Sequence, residues 1–312
     1  MKLKIDTHAQ CNIQVATLVD IDKLDTMTKQ YANNVNQDLP HRAIMLCATA
    51  PGASIIFTTL PICSDYQLSD KEFEFAVRLR LNIVPRNDML NSSGQLMNFE
   101  CRICDSKHRR TFTSINEVCA HAHKCNKMKR TINTQRHNMV LLTVTRLFRE
   151  VGHHTELEPW AYDIRDVRKR PDATCISTRA NVVPIMVDVS ITHPACDSRV
   201  AIGQKSLGCA KDRELYKTNK YAGQAVNENM KFVPLVMETT GAFGRELARL
   251  LRQLSIQAAD ERVMSEYEFL RYARASIVFA LHRGNGRLVK TFADSVHIEQ
   301  ADVIPASVAA GA

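Results

Sequence analysis

An aspartate inside an apolar, alternating run constrains this 312-residue chain more than any other feature. In the run VPIMVDVSIT, residues 183–192, the odd positions are all Val or Ile, whereas Asp188 lies on the more polar, even-numbered side. A repeat of two residues predicts a β-strand with two different faces. Aspartate is disfavoured inside strands, so Asp188 indicates either an exposed strand position or a functional carboxylate.

A second carboxylate is predicted to lie opposite the first. A shorter strand-like run, residues 172–177, precedes this strand across a polar turn. If the two runs form a hairpin centred on Ala180, the numbers of paired residues sum to 360, and Asp172 faces Asp188. Opposed β-carbons lie about 4.5–5.5 Å apart. Carboxylates that close repel unless a cation such as Mg²⁺ lies between them or one is protonated. For Asp172 alone, a turn position after Pro171 is the simpler explanation.

The helix predicted across residues 209–229 carries candidate catalytic lysines. Within RELYKTNKY, the residues Glu214, Lys217 and Tyr221 are spaced to share one helix face, and Lys220 lies on the adjoining edge. A lysine beside metal-bound carboxylates can orient an attacking water and stabilise the charge that develops on a phosphate. A solvated Glu/Lys face is the alternative.

A Cys/His segment indicates a structural metal site. It contains a Cys-x-x-Cys pair and, after sixteen intervening residues, a His-x-x-x-Cys pair. Thiolates on a tight turn, closed by a later His/Cys pair, are typical of tetrahedral zinc. The preferred Zn²⁺ ligands are Cys101, Cys104, His121 and Cys125. The long spacing leaves Cys119 and His123 as substitutes, and a metal-free cluster of cysteines and histidines as the alternative.

The ten cysteines do not suggest a disulfide framework. The opening MKLKIDTHAQCNIQ lacks the apolar stretch of a signal peptide, and no apolar run reaches the length of a transmembrane helix. We therefore expect a reducing intracellular compartment, no membrane partner, and cysteines that bind metal.

The charge of the chain points to a polyanion. The formal net charge is +8, and residues 101–136 carry nine Lys or Arg against two acidic residues, a net +7. A concentrated basic patch favours nucleic-acid contact, although a solvated basic face has the same composition. The candidate contacts are Arg109, Arg110, Lys127, Lys129, Arg130, Arg136 and His137.

Further helices and strands follow from caps and periodicity. Ser69 and Glu72 predict a capping box that starts a helix running to about Leu81. Small and apolar residues at 43–58 predict core. The remaining predictions are an amphipathic helix from about 137 to Gly152, an α/β part starting at about 158 with a last strand at 231–238, and closing helices at 244–256 and 264–282.

The order of these motifs resembles one protein family. RPDATC, VDVSITHP and ELYKTNKY are similar to the restriction-like endonuclease domain of site-specific non-LTR retrotransposons, a member of the PD-(D/E)xK nuclease superfamily. Upstream, LPICSDYQLSDKEFEFAVRLRL resembles the segment that links their polymerase to a zinc knuckle. CRIC, HAHKC and RHNMV resemble that CCHC knuckle and the Arg-His-Asn tripeptide after it. EPW, FVPLVMETTGAFG and ASIVFALHRGNGRL also fit, so the resemblance covers roughly residues 55–290.

The resemblance implies an α/β fold: a restriction-endonuclease-like mixed sheet flanked by helices, preceded by a helical segment and a zinc knuckle. The implied regions are a helical segment at 1–98, the knuckle at 99–138, the endonuclease domain at 139–290 and a flexible tail at 291–312.

The implied activity is nicking of target DNA for target-primed reverse transcription, in the nucleus. Asp172 and Asp188 would hold Mg²⁺, and Zn²⁺ would be structural. Lys217, Lys220 and Tyr221 would complete the catalytic residues. Arg170 would support the site, and Glu238 is a weaker candidate. DNA is the implied partner, and element RNA is a further one.

Two departures from the family pattern qualify this expectation. The simple superfamily motif has Lys two residues after the second acid, where this chain has Ser190, so the lysine must come from the following helix. The sequence also lacks the Tyr-x-Asp-Asp signature of a polymerase. We therefore expect a C-terminal part of an element protein, either a truncated relic or a separate reading frame. The alternatives are a catalytically inactive nucleic-acid-binding relic and a structural protein.

Overall fold

The computed structural model describes residues 39–104, 111–112, 114–125, 128, 132–158, 170–179, 181–196 and 198–298. Its helices are α1 (Leu39–Ala48), α2 (Ile55–Thr58), α3 (Asp70–Leu81), α4 (Ile115–Lys124), α5 (Ile132–Glu150), α6 (Gly208–Asn227), α7 (Arg245–Asp260) and α8 (Glu266–Ser295). Its strands are β1 (Phe99–Cys101), β2 (His153–Leu157), β3 (Ala173–Ser177), β4 (Ile185–Thr192), β5 (Lys231–Glu238) and β6 (Val296–Ile298). The fold class is α/β, as predicted.

A mixed four-stranded sheet lies at the centre of the fold, in the order β2-β3-β4-β5. The first three strands are antiparallel neighbours, and β5 runs parallel to β4 after the crossover through α6. Among the described residues the sheet is open, with β2 and β5 at its edges. Pro234 lies within β5, where an edge position tolerates a residue that has no backbone N–H. A separate two-stranded sheet joins β1 to β6.

The predicted hairpin register is confirmed. Ala173 pairs with Val187, Thr174 with Met186, and Cys175 with Ile185, so each pair sums to 360. A register error of one residue would have turned the whole polar side of β4 to the other face of the sheet. The correct register therefore places Asp172, just before β3, beside Asp188 in the middle of β4.

The two faces of β4 differ as the alternation predicts, but both are buried. Val187 and Val189 belong to the main core, which also contains side chains of α5, α7 and α8. On the other face, α6 lies over Asp188 and Ser190, which are only 2% and 6% exposed. The exposed-strand explanation of Asp188 is therefore wrong, because a helix covers the polar face.

Local signals place the start of α3 and the end of α5 correctly. Ser69 and Glu72 form the predicted capping box: the Ser69 hydroxyl accepts from the Glu72 N–H at 3.3 Å, and the Glu72 carboxylate accepts from the Ser69 N–H at 2.9 Å. Helix α5 ends just before Gly152, whose φ of +80° suits glycine at a helix terminus. The predicted core at 43–58 is also confirmed, since Ala43 and Ile56 are fully buried.

The structure differs from the predicted boundaries in three places. The sheet begins before residue 158, because β2 pairs with β3. Helix α5 begins at Ile132, so it crosses the predicted boundary between the knuckle and endonuclease regions. Residues 291–298, predicted to belong to a flexible tail, are instead part of the fold: α8 continues to Ser295, Phe292 is fully buried, and β6 pairs with β1.

A second core holds the Cys/His segment against α8. It contains Phe112, Val118, Leu288 and Phe292, together with buried cysteines of the segment. The first half of α8 packs in the main core, and its second half packs here. One long helix therefore fixes the Cys/His segment relative to the sheet.

Candidate functional site

The four preferred zinc ligands converge in the structure. Cys101 ends β1, Cys104 lies on the turn that follows, His121 is in α4, and Cys125 comes directly after α4. Their ligand atoms all lie within 4.8 Å of one another. The spacing predicted from sequence therefore brings together a Cys₃His group that could hold a metal ion such as zinc.

The distances within this cluster fit a tetrahedral metal. Cys104 Sγ lies 3.8 Å from Cys125 Sγ and 3.5 Å from His121 Nε2. Zinc bonds of about 2.3 Å to sulfur and about 2.0–2.1 Å to nitrogen give tetrahedral edges of roughly 3.8 Å and roughly 3.5 Å. A hydrogen bond with Cys125, and then burial, raise the pKa of the Cys101 thiol, so metal binding would release a proton.

The two substitute ligands lie outside the cluster. His121 and Cys125 are one helical turn apart, whereas Cys119 and His123 are two residues away and face other directions. Burial raises the pKa of the Cys119 thiol to about 12, which keeps it protonated. His123 stacks on His193 instead, with ring centroids 5.0 Å apart. His121 is held between Phe112 and Phe292 at 5.1 Å and 5.6 Å.

The two aspartates lie together at the wall of a cavity of about 480 Å³. The Asp172 N–H donates to the Val187 carbonyl at 3.1 Å, which extends the hairpin by one residue. Its carboxylate Oδ2 accepts from the Val189 N–H at 2.6 Å. Asp172 thus bonds to the residues directly before and after Asp188. The two acids therefore lie on one surface and do not face opposite sides of the sheet.

Lys217 forms an ion pair with the more buried acid. Its Nζ lies 2.5 Å from Asp188 Oδ2, and the two side chains are 11% and 4% exposed. This oxygen has no hydrogen bond of good geometry within the described residues. Burial, and then the charge of Asp172, raise the pKa of Asp188 even though Lys217 opposes them. The ion pair with Lys217 therefore does not fully offset the effects of burial and of Asp172 on Asp188.

His137 belongs to the acidic site. From α5, its Nε2 lies 2.9 Å from Asp172 Oδ2. Burial alone would lower the pKa of His137, but the hydrogen bond and charge of Asp172 outweigh burial and raise it. The sequence singled out His137 only as a nucleic-acid contact. No local signal connects it to a carboxylate that lies on a distant part of the chain.

Tyr221 and Lys220 lie beside the acids without lining the cavity. The Tyr221 hydroxyl donates to the Arg170 carbonyl at 3.0 Å, and Lys220 Nζ donates to that hydroxyl at 3.0 Å. Burial, and then the charge of Asp188, raise the pKa of Tyr221, so it stays a neutral phenol. The structure brings Lys217 to the acids and leaves Lys220 on their outer side.

Two other acids considered from the sequence have separate partners. Glu214 shares the buried face of α6 with Lys217 and Tyr221, as predicted. Its Oε1, however, accepts from the Glu246 N–H at 2.9 Å, at the start of α7. Glu238, the weaker metal candidate, accepts from the Ala210 N–H at 3.2 Å and pairs in register with Thr192. Neither lines the cavity that holds the acids.

The far end of the same cavity is cationic, and sequence reasoning missed it. Arg213 Nε donates to Ser190 Oγ at 2.8 Å. The cavity wall there also contains Arg136, Arg199, His123 and His193. No pattern in the sequence around Arg213 indicates that its side chain would lie over Ser190.

The basic candidates from the sequence have mixed outcomes. Arg136 is 6% exposed, and its guanidinium donates to the Asn285 side chain at 3.0 Å. Burial lowers the pKa of Arg136 to about 10, which leaves it charged at neutral pH. Five other candidates lie outside the described residues, namely Arg109, Arg110, Lys127, Lys129 and Arg130.

Comparison with known proteins adds no identity. No protein-family model matches the chain, and a search of curated proteins finds no significant match. In the part of the chain that the structure describes, no helix is long and apolar enough to cross a membrane. Function is therefore argued from the geometry of the site, since a fold alone does not define an activity.

Proposed function

We propose that the chain is a metal-dependent DNA endonuclease module of the restriction-like type found in non-LTR retroelements. One observation carries the proposal: Asp172 and Asp188 share a cavity with Lys217, and the pKa of Asp188 remains raised by burial and by Asp172 despite that lysine. A carboxylate in a cleft whose pKa is raised by burial and by a charged neighbour is typical of functional sites.

The residues present fit a hard divalent cation. Among the described residues, both hydrogen bonds that Asp172 accepts go to Oδ2, which leaves Oδ1 for another ligand. Asp188 Oδ2 already lies 2.5 Å from Lys217 Nζ, so Asp188 would offer its other oxygen, Oδ1, to the cation. Asp172 and Asp188 would hold Mg²⁺, which supplies a Lewis acid and a more acidic bound water when present.

The other side chains have distinct roles in this proposal. Lys217 places a buried ammonium beside the acids, where it stabilises the negative charge that develops on a phosphodiester. His137 fixes the orientation of the Asp172 carboxylate through its 2.9 Å hydrogen bond. Lys220 and Tyr221 support the site from outside, through the Arg170 carbonyl.

The Cys₃His cluster is proposed to be a structural zinc knuckle that positions the cavity. Helix α4 carries His121 to the cluster and His123 to the cavity. A metal at the cluster would thus fix one wall of the cavity. Target DNA, element RNA and a nuclear location complete the proposal, and they rest on the family resemblance alone.

Nicking of a supercoiled plasmid with Mg²⁺ tests the proposal. We expect wild-type protein to nick and Asp188→Ala to be slower by about 100-fold or more, since it removes a metal ligand. Glu238→Gln is the matched control, because Glu238 is another buried strand carboxylate outside the cavity. Equal nicking by wild type and Asp188→Ala would remove Asp188 from the mechanism.

An inactive nucleic-acid-binding protein is the second candidate. The ion pair between Lys217 and Asp188 favours it, because a lysine already occupies one carboxylate oxygen. Nucleic-acid binding that weakens with salt, survives Asp172→Ala and Asp188→Ala, and comes with no cleavage would support this candidate.

A further inference from the structure

We propose that the Arg213 end of the cavity is a phosphate-binding subsite, which takes the phosphodiester next to the one held at Asp172 and Asp188. This inference rests on the proposed function for the identity of the strand. The subsite itself is inferred from the positions of the cationic side chains and of the two acids in the cavity.

The spacing of the two ends follows from β4 and α6. Asp188 and Ser190 lie on the same face of β4, two residues apart, or roughly 6.6 Å along the strand. On α6, Lys217 and Arg213 are one helical turn apart, or roughly 5.4 Å. Lys217 contacts Asp188, and Arg213 contacts Ser190. The cationic side chains of Lys217 and Arg213 are therefore separated by a distance comparable to the length of one nucleotide of backbone.

The charge at the Arg213 end is only partly neutralised. Arg199 pairs with Asp212 at 2.9 Å, and Arg136 bonds to neutral amides. Within the described residues, Arg213 has no carboxylate partner; its contacts are the Ser190 hydroxyl and the face of the Tyr216 ring at 4.8 Å. Among the described residues, positive charge at this end therefore exceeds negative charge, and an anion would balance the excess.

Buried polar atoms at this end also lack partners. Among the described residues, His123 Nδ1 and Arg136 Nε make no hydrogen bond, although both side chains are more than nine-tenths buried and line the cavity. Buried donors without partners are costly, so such atoms indicate a ligand or a water. A phosphate oxygen accepts hydrogen bonds from guanidinium and imidazole N–H groups.

The size of the cavity suits the backbone of one strand, about one nucleotide long, and not the full width of a duplex. Its volume of about 480 Å³ lies in the usual range for small-molecule sites, roughly 300–1,000 Å³. One strand must therefore lay its backbone across the cavity, with one phosphate at the acids and the next at Arg213. Holding the neighbouring phosphate would fix the scissile one, which is how remote binding contributes to catalysis.

Nucleotide binding to the zinc-loaded full chain tests the subsite. The probes are thymidine 5′-monophosphate without divalent metal and thymidine 3′,5′-bisphosphate with Mg²⁺, both measured by titration calorimetry. We expect Arg213→Gln to weaken both probes about tenfold, which corresponds to about 1.4 kcal/mol. Lys211→Gln is the matched control, because it removes a charge from an exposed position on the same helix, outside the cavity.

The outcomes separate this inference from the proposed nuclease. Monophosphate binding that needs Arg213 and survives Asp188→Ala supports the subsite, even if no plasmid is nicked. Binding that is equal in wild type and Arg213→Gln overturns the subsite, even if nicking is efficient. If Arg213→Gln fails to fold by circular dichroism, Arg213→Lys carries the test. It keeps the charge but loses the guanidinium fork, so we expect about threefold weaker binding, and unchanged binding would overturn the subsite.

Discussion

The Cys/His cluster and the acidic pair are assembled in opposite ways. All four cluster residues lie within residues 101–125, and their ligand atoms converge at distances that suit one metal. The acidic site combines His137, Asp172, Asp188 and Lys217, which come from two helices, one strand and one loop. The cluster is local and geometrically complete, whereas the acidic site is long-range and holds a carboxylate, Asp188, whose pKa burial and the charge of Asp172 raise. The first arrangement is typical of structural sites, and the second of functional ones.

The two regions are nevertheless mechanically connected. Helix α8 spans both cores, and α4 supplies His121 to the cluster and His123 to the cavity. Substitutions that alter the stability or the metal binding of one region and not of the other therefore test the comparison.

The largest expected effect is loss of the cluster metal. Replacing both Cys101 and Cys104 by Ser should abolish zinc binding and lower the free energy of unfolding by on the order of 5 kcal/mol or more, because structural zinc contributes directly to folding. Zinc content and chemical denaturation measure the two quantities. Cys119→Ser is the control, since it also places a hydroxyl in the same buried region but leaves the ligands intact. Unchanged zinc content in the double variant would refute a metal site here.

Removing Lys217 should have the next largest effect. Lys217→Met leaves Asp188 buried beside Asp172 with no counter-ion, which should cost about 3–5 kcal/mol. The double variant with Asp188→Asn should cost much less than the sum of the single variants, because no unpaired charge remains. Urea denaturation of the zinc-loaded protein without added Mg²⁺ measures both. Additive costs would mean that the 2.5 Å ion pair does not couple the two residues. Lys220→Met, on the outer side, should cost far less.

Mg²⁺ should stabilise the acidic site and not the cluster. At a concentration one hundred times Kd, a ligand stabilises the folded state by about 2.7 kcal/mol. The thermal midpoint should rise with Mg²⁺ in wild type and in Glu238→Gln, but not in Asp172→Asn or Asp188→Asn. If either aspartate variant kept the full shift, the metal would lie elsewhere.

Tyr221→Phe should have the smallest effect. It removes the hydroxyl that bonds the Arg170 carbonyl, which should cost about 1 kcal/mol. Because Asp188 and Lys217 keep their contact, nicking should fall by only a few fold. Tyr216→Phe is the control, since its ring lies on the exposed side of the same helix. A loss of activity as large as that of Asp188→Ala would place Tyr221 in the chemistry itself.

Strand pairing and cysteine spacing could be predicted because both are local. The two-residue repeat of the strands and the single turn between them fix the register of β3 on β4. This register in turn places Asp172 close to Asp188. Strand β2 was missed because its buried positions are His153 and Thr155, so HHTEL has no apolar alternation.

The end of α8 was missed for a different reason. Gly284 and Gly286 in the stretch GNG indicate a helix break. In the structure they allow close packing: a β-carbon on Gly284 would lie 2.6 Å from Arg136 Cγ, and one on Gly286 would lie 2.8 Å from Glu72 Cγ. The positions of His137 and Arg213 over β4 depend on how α5 and α6 dock, which no local pattern encodes.

The most direct test of the central claim is the position of a bound divalent ion. Anomalous scattering from a crystal of the protein soaked in Mn²⁺ would locate it. We expect one ion in contact with the carboxylates of both Asp172 and Asp188, and its loss in Asp188→Asn. Wild-type crystals with no ion between these carboxylates, and with Asp188 still bound only to Lys217, would contradict it.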